Sequence, residues 1–273
     1  MSLRKSIWLL LLLCCSFVAA ENVEHTNVLK AKFGGAYQLD MYLSPLAYTG
    51  FQIGLGNEWW QPFRQDTRLG RTGRLAHWAH VGRVDAYGYR VTSSARSNRI
   101  DGLEVCGGWG AFYAWQWCDR RLKLVLGPYL EGGFTVREIS SNVNKPVSLD
   151  LAIDLMAMSG LSWSFYGKKT SYRINYQIRT NLLGMDFMPD YWQSYYELSR
   201  DASGSARCSG HWNHHTVKHE LTMDMQFPHS TWRVGVEHQY VDYGTPDMRF
   251  VRNHACLVVG CIWKYRIKPN ERL

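Results

Sequence analysis

Apolar and polar residues alternate with a period of two over most of the chain, and the C-terminal stretch shows it most plainly. Ala255, Leu257, Val259, Cys261, Trp263 and Tyr265 fall on one face, with Cys256, Val258, Gly260, Ile262, Lys264 and Arg266 on the other. That is the side-chain repeat of a β-strand. Trp232, Val234, Val236, His238 and Tyr240 alternate in the same way with Arg233, Gly235, Glu237 and Gln239. So do Tyr172, Ile174, Tyr176 and Ile178 with Arg173, Asn175, Gln177 and Arg179, and Val217, Leu221, Met223, Met225 and Phe227 with Lys218, Glu220, Thr222, Asp224 and Gln226. Less regular stretches lie at 31–43, 51–60, 76–91, 102–117, 122–137 and 149–165, for a total of ten. Strands of soluble proteins run about five or six residues. These run about ten to sixteen, the length a tilted strand needs to cross a bilayer and project beyond it. An open sheet edge is too costly in lipid, so the pattern predicts an all-β chain forming a closed antiparallel transmembrane β-barrel. It has ten strands, or twelve if residues 183–214 add a hairpin.

Connections and aromatic residues agree with this reading. With both termini in the periplasm, every second connection is a periplasmic turn, and Cys118–Arg121, Tyr166–Lys169 and Pro228–Ser230, the shortest connections, all fall on that side. The longer ones, 92–101, 138–148, 183–214 and 243–253, fall outside; Gln61–Arg74, long and basic yet periplasmic, goes against the trend. Trp and Tyr gather where hydrocarbon meets water. Trp59, Trp78, Trp115, Trp117, Trp163, Phe165, Tyr172, Phe227, Trp232, Trp263 and Tyr265 all land at the periplasmic strand ends, as a girdle.

A secreted β-sandwich or lipocalin-like barrel would alternate too, but it turns its polar face to water and fills its centre with apolar side chains. Here the polar face carries Asp40, Glu58, Asp85, Glu104, Glu131, Asp150, Asp154, Glu220, Asp224 and Glu237. Opposite them stand Lys32, Arg83, Lys123, Arg137, Arg173, Arg179, Lys218, Arg233, Lys264 and Arg266. A narrow lumen can pair such groups, whereas each buried unpaired would cost several kcal/mol. With Phe112 and Tyr129 on the same face, the expected lumen is filled by side chains, and a small-solute path is the alternative.

Composition and address narrow the class. The 273 residues carry 31 Lys+Arg against 23 Asp+Glu, a formal net charge of +8, but no Lys/Arg run exceeds two residues, so no nucleic-acid surface is expected. Arg4-Lys5, the apolar run from Ile7 to Leu13 and Val18-Ala19-Ala20 form a secretory signal peptide, residues 1–20, leaving residues 21–273 as one barrel domain in the bacterial outer membrane. Leu13 before Cys14 does not suit a lipoprotein acceptor. Cys106, Cys118, Cys208, Cys256 and Cys261 are odd in number and show no zinc spacing. The partners this implies are outer-membrane lipid, the barrel-assembly machinery and a surface ligand of unknown identity.

Three stretches carry a resemblance: residues 42–50 (YLSPLAYTG), residues 184–197 (GMDFMPDYWQSYYE) and the final strand. They resemble a family of uncharacterised outer-membrane barrels of Gram-negative anaerobes, a domain of unknown function. The resemblance implies location and fold over nearly all of the mature chain and carries over no catalytic residue. The chain departs from the general barrel pattern by ending on Lys268–Leu273 instead of an aromatic residue.

Local chemistry is sparse. No His-x-Ser, Asp-x-Asp or Asp-x-His occurs; His214-His215-Thr216 supplies a weaker His-x-Thr. His211, His215 and His219 are four apart, but a strand spreads them by about 13 Å per step, so no metal site is expected there, and neither a metal nor any other cofactor is expected elsewhere in the chain. Asp190, Tyr191, Trp192, Tyr195 and Tyr196 make the longest loop rich in aromatics and are the candidates for surface binding. The charge network to be tested is Glu131, Asp154, Arg173, Arg179, Glu220, Asp224, Arg233 and Glu237. The reading is a structural or surface-binding barrel, with an envelope hydrolase (lipid, acyl or peptide) at the outer rim as the second hypothesis.

Overall fold

The computed structural model describes residues 24–62, 78–94, 98–118, 121–139, 147–167, 170–187, 206–245 and 248–266. The strands are β1 (Glu24–Asp40), β2 (Ser44–Pro62), β3 (Trp78–Ser93), β4 (Arg99–Trp117), β5 (Leu122–Ile139), β6 (Val147–Tyr166), β7 (Ser171–Phe187), β8 (Ala206–Gly210), β9 (His214–Gln226), β10 (Thr231–Thr245) and β11 (Met248–Arg266). Each pairs antiparallel with its neighbour, β6 pairs with β7, and β1 pairs with β11 from Glu24↔Arg266 to Asp40↔Phe250, so the sheet closes on itself.

β8 is not an additional stave. It pairs with the upper end of β7, from Leu183↔Gly210 to Phe187↔Ala206, while β9 pairs with the lower part, from Ser171↔Gln226 to Thr180↔Val217. His211–Asn213 turn out of the wall between them. β8 and β9 together are one interrupted stave, which gives a barrel of ten.

The outward face explains why the barrel belongs in lipid. Phe33 is 53 % exposed, Leu55 63 %, Ile153 59 % and Leu257 64 %, members of an apolar belt on every side of the wall. Soluble monomers rarely expose contiguous apolar patches beyond a few hundred Å². Trp115, Trp117, Trp163, Trp232 and Trp263 are exposed at the lower end of the barrel, where β1 begins and β11 finishes. Trp59 is half-buried because it lies over Gly82, its cross-strand partner, where any Cβ would strike the indole. The strand of Tyr265 is described but not its side chain.

Two boundaries differ from the sequence reading. Residues 243–253 are not a long connection: Thr245 pairs with Met248, so only two residues join β10 to β11. β1 and β11 also begin earlier than the apolar pattern does, bringing Lys30, Arg252 and His254 onto the inner face.

Candidate functional site

Period-two alternation turns the ten acids read from the sequence inward, and all are buried. In the lower half, Lys30 Nζ donates to Glu58 (2.9 Å) and Glu220 (3.0 Å), and Lys32 Nζ to Asp85 (2.7 Å) and Glu237 (2.9 Å). Arg83 lies among the same acids, reaching Asp85 (2.5 Å), Glu220 (2.5 Å) and Glu237 (2.6 Å). Arg233 pairs with Asp224 (2.6 Å) and Glu58 (3.2 Å), and the Tyr87 hydroxyl donates to Glu237 (2.6 Å). Higher up, Glu131 accepts from Arg179 (2.7 Å) and Lys218, Glu104 from Arg252 (2.7 Å), and Arg137 pairs with Asp40 (2.9 Å) and Asp150. Two apolar clusters fill the remaining section, one around Phe112, Tyr129, Met156 and Met158, the other around Tyr48, Tyr89, Ile100 and Ile139.

Beside this packing, the upper lumen keeps a small cavity of about 60 Å³, lined in part by Asp154, Asp186, His214, Thr216 and Lys218. Its geometry depends on one irregularity. The β6–β7 register shifts between Leu155 and Met156, which pair with Leu183 and Asn181, so Leu182 is an extra residue on β7. Below it the inward residues are odd-numbered (Asn175, Gln177, Arg179, Asn181) and buried; above it Leu182 and Leu183 are both exposed, and Asp186 turns inward. A bulge of this kind re-aims the side chains beyond it. His214 Nδ1 lies 3.0 Å from Asp186 Oδ2 and 3.7 Å from Asp154 Oδ1, and His214 Nε2 lies 2.7 Å from Thr216 Oγ1. Asn181 accepts from the Thr216 backbone N–H (2.9 Å) and donates to the His214 carbonyl (2.5 Å), which fixes the start of β9.

Of the network read from the sequence, Glu131, Asp154, Arg179, Glu220, Asp224, Arg233 and Glu237 are brought together inside. Arg173 faces the lower mouth, exposed, with Nε donating to Ser164 Oγ (3.2 Å). Asp190, Tyr191, Trp192, Tyr195 and Tyr196 lie outside the described residues, as does the segment 1–20 read from the sequence as a signal peptide. The His211, His215 and His219 row does not spread evenly: the turn at His211–Asn213 folds the His211 ring to 4.9 Å from that of His215. His219 faces outward, stacked on His238 and bonded to the Tyr176 hydroxyl (2.8 Å). Cys106, Cys118, Cys208, Cys256 and Cys261 are all free.

The sequence profile of a family described as proteins of unknown function, DUF3316, matches residues 7–262. The chain belongs to the DUF3316 family. DUF3316 is a family of unknown function, the chain has an outer-membrane-type barrel fold, and the matched span takes in every residue of the lumen network and of the upper cavity. Among solved structures, it is similar to the outer membrane protease OmpT from Escherichia coli, at 6 % identity over 92 % of this chain and 99 % of that one (TM-score 0.47). It is also similar to Neisserial surface protein A, at 11 % identity over 85 % and 96 % (TM-score 0.33). The translocator domain of the autotransporter NalP from Neisseria meningitidis matches at 8 % identity over 96 % and 95 % (TM-score 0.41). No curated protein sequence matches this DUF3316 chain.

Proposed function

We propose that this protein is a non-conducting outer-membrane barrel with a surface-binding role, exported by the signal peptide 1–20 and opening its upper cavity toward the cell exterior. The observation that carries this reading is the ion pair of Arg83 and Glu220 across the lower half of the lumen, flanked by Lys30, Lys32 and Glu237. A solute would have to break several buried charge pairs at once, each costly to separate in so dry a space. The loop candidates Asp190, Tyr191, Trp192, Tyr195 and Tyr196, which follow β7 in sequence and precede β8, are proposed as the residues that bind the ligand. Planar-bilayer recordings of the purified protein are expected to show no stable channel of porin size; large, steady conductance would overturn the proposal. Fractionation with a gel shift on boiling tests the location.

A second reading, an envelope hydrolase, is favoured by one observation. Asp186, His214 and Thr216 form a hydrogen-bonded row in the order acid, base, hydroxyl, at 3.0 and 2.7 Å. Ester or peptide hydrolysis by the folded protein, lost in Thr216→Val, would promote it. Thr216 is buried, and its approach is limited to the small cavity, so binding stands first.

A further inference from the structure

We propose that Asp154, Asp186 and His214 hold one divalent transition-metal ion, of the zinc type, in the upper cavity. The proposal deepens the surface-binding reading and rests on that cavity being the functional end of the barrel.

Three ligand atoms, one from each residue, lie within 4.8 Å of one another. Convergence of two acids and an imidazole would be unremarkable if bases neutralised them. Of the nearby lumen bases, Lys218 and Arg179 pair with Glu131 and Arg252 with Glu104, whereas the ion pair recorded for both Asp154 and Asp186 among the described residues is the one with His214. A proton on His214 Nδ1 satisfies only Asp186 Oδ2. Asp154 Oδ1, Asp186 Oδ1 and the hydroxyl of Ser209 are buried and have no hydrogen-bond partner. Asp154 is 7 % exposed and Ser209 3 %, and buried polar atoms of this kind call for a partner.

Ser209 is the independent pointer, since it is not one of the three ligands. Gly184 pairs with Asp154 on one side and with Ser209 on the other, and a Cβ on Gly184 would run into both Asp154 Oδ1 and Ser209 Oγ. The glycine therefore keeps open the space into which these two oxygens point.

The surroundings of His214 match a ligating imidazole. His214 Nε2 lies 2.7 Å from Thr216 Oγ1, so in the tautomer with the proton on Nε2 that nitrogen donates to the hydroxyl and the Nδ1 lone pair is presented to the two carboxylates. Three acceptors facing one another repel unless a cation lies between them, and a hydrogen-bonded far nitrogen is the usual support of a metal-bound histidine. Two carboxylate oxygens and one imidazole nitrogen suit Zn²⁺, with the cavity leaving a further position for water.

The test uses the full mature chain, folded in detergent and stripped with EDTA. Calorimetric titration with Zn²⁺ is expected to give one equivalent. Asp154→Asn and His214→Gln are each expected to weaken binding by about 100-fold or more, whereas the double variant His211→Ala, His215→Ala leaves it unchanged. Folding of each variant is checked by its gel shift on boiling. Co²⁺ added to the unsubstituted protein provides a readout that needs no variant: visible bands without a thiolate charge-transfer band are expected. Absence of a stoichiometric isotherm, loss of zinc only in the His211/His215 variant, or a thiolate band from Cys208 would each overturn the proposal. A conducting barrel that still binds zinc would sink the non-conducting reading alone, and a non-conducting barrel that binds none would sink this one alone.

Discussion

Arg83 on β3 and Glu220 on β9 stand five staves apart in either direction around the wall, and their side chains meet at 2.5 Å. An ion pair between diametrically opposite strands is possible only where the lumen is narrow enough for two long side chains to span it. It ties the two halves of the wall together, with both partners almost wholly buried.

Removing one partner leaves the other charged, buried and short of a counter-charge, which costs about 3–5 kcal/mol in proteins generally. Glu220→Gln, which keeps the shape and removes the charge, is therefore expected to lower unfolding stability by roughly that amount. Asp101→Asn is the control: its partners Arg90 and Arg99 are more than half exposed, and such pairs contribute about 0–1 kcal/mol. Denaturant unfolding of the lipid-folded protein, followed by loss of the heat-modifiable band, measures both.

Opening the lumen is a different matter from weakening it. Glu237 accepts from Lys32, Arg83 and Tyr87, yet the pairs of Arg137 with Asp40 and of Arg252 with Glu104 cross the lumen through other residues. Glu237→Ala should lose stability and still show no steady single-channel steps in a planar bilayer. A stable channel in this variant would mean that one layer of side chains alone closes the barrel.

The bulge at Leu182 makes a sharper claim about sequence and site. Deleting Leu182 removes the extra residue and restores plain alternation along β7, with Leu183 following Asn181 to the outer face and Gly184 and Asp186 still turned inward. The shortened chain is expected to fold, since the ladder on either side of the bulge keeps its pairing, and to keep zinc binding. Metal analysis on the heat-modifiable fraction decides it; loss of zinc after the deletion would show that Asp186 needs the bulge itself, and not only the change of parity, to reach the cavity.

That bulge also marks where the sequence stops being legible. The inward placement of Asp85, Glu131, Glu220 and the other acids follows from period-two alternation, because an unbroken ladder preserves parity from end to end. Asp186 shares parity with outward-facing residues such as Tyr172 and Tyr176, and nothing in Asn181-Leu182-Leu183 signals an inserted residue. Arg252 and His254 were hidden for another reason. Above the lipid, the outward face of β11 turns polar at Asn253, so the apolar rhythm that identifies a strand fades while the hydrogen-bonded ladder continues to Met248. His211 reaches His215 through a turn, which spacing rules for a regular strand cannot foresee.

The seam that closes the barrel supplies the last prediction. At Gly34, opposite Cys256 on β11, an added Cβ would strike the carbonyl oxygen of Ala255 and come within 2.6 Å of the Cys256 Cα. Both are backbone atoms, so no rotamer change relieves the clash and β1 must move away from β11. At Gly35, the next residue, a Cβ meets nothing closer than the Gly50 carbonyl oxygen at 3.8 Å. The two positions have the same residue type, strand and depth, and differ in the face they present. Gly34→Ala should cost about 1–3 kcal/mol, the range for forcing a methyl into packed structure. Gly35→Ala should stay within about 0.5 kcal/mol of the parent, as substitutions free of steric conflict do. Unfolding midpoints of the two variants in one lipid, compared with the parent, measure the difference; equal midpoints would mean that the seam between β1 and β11 has more room than its backbone contacts allow.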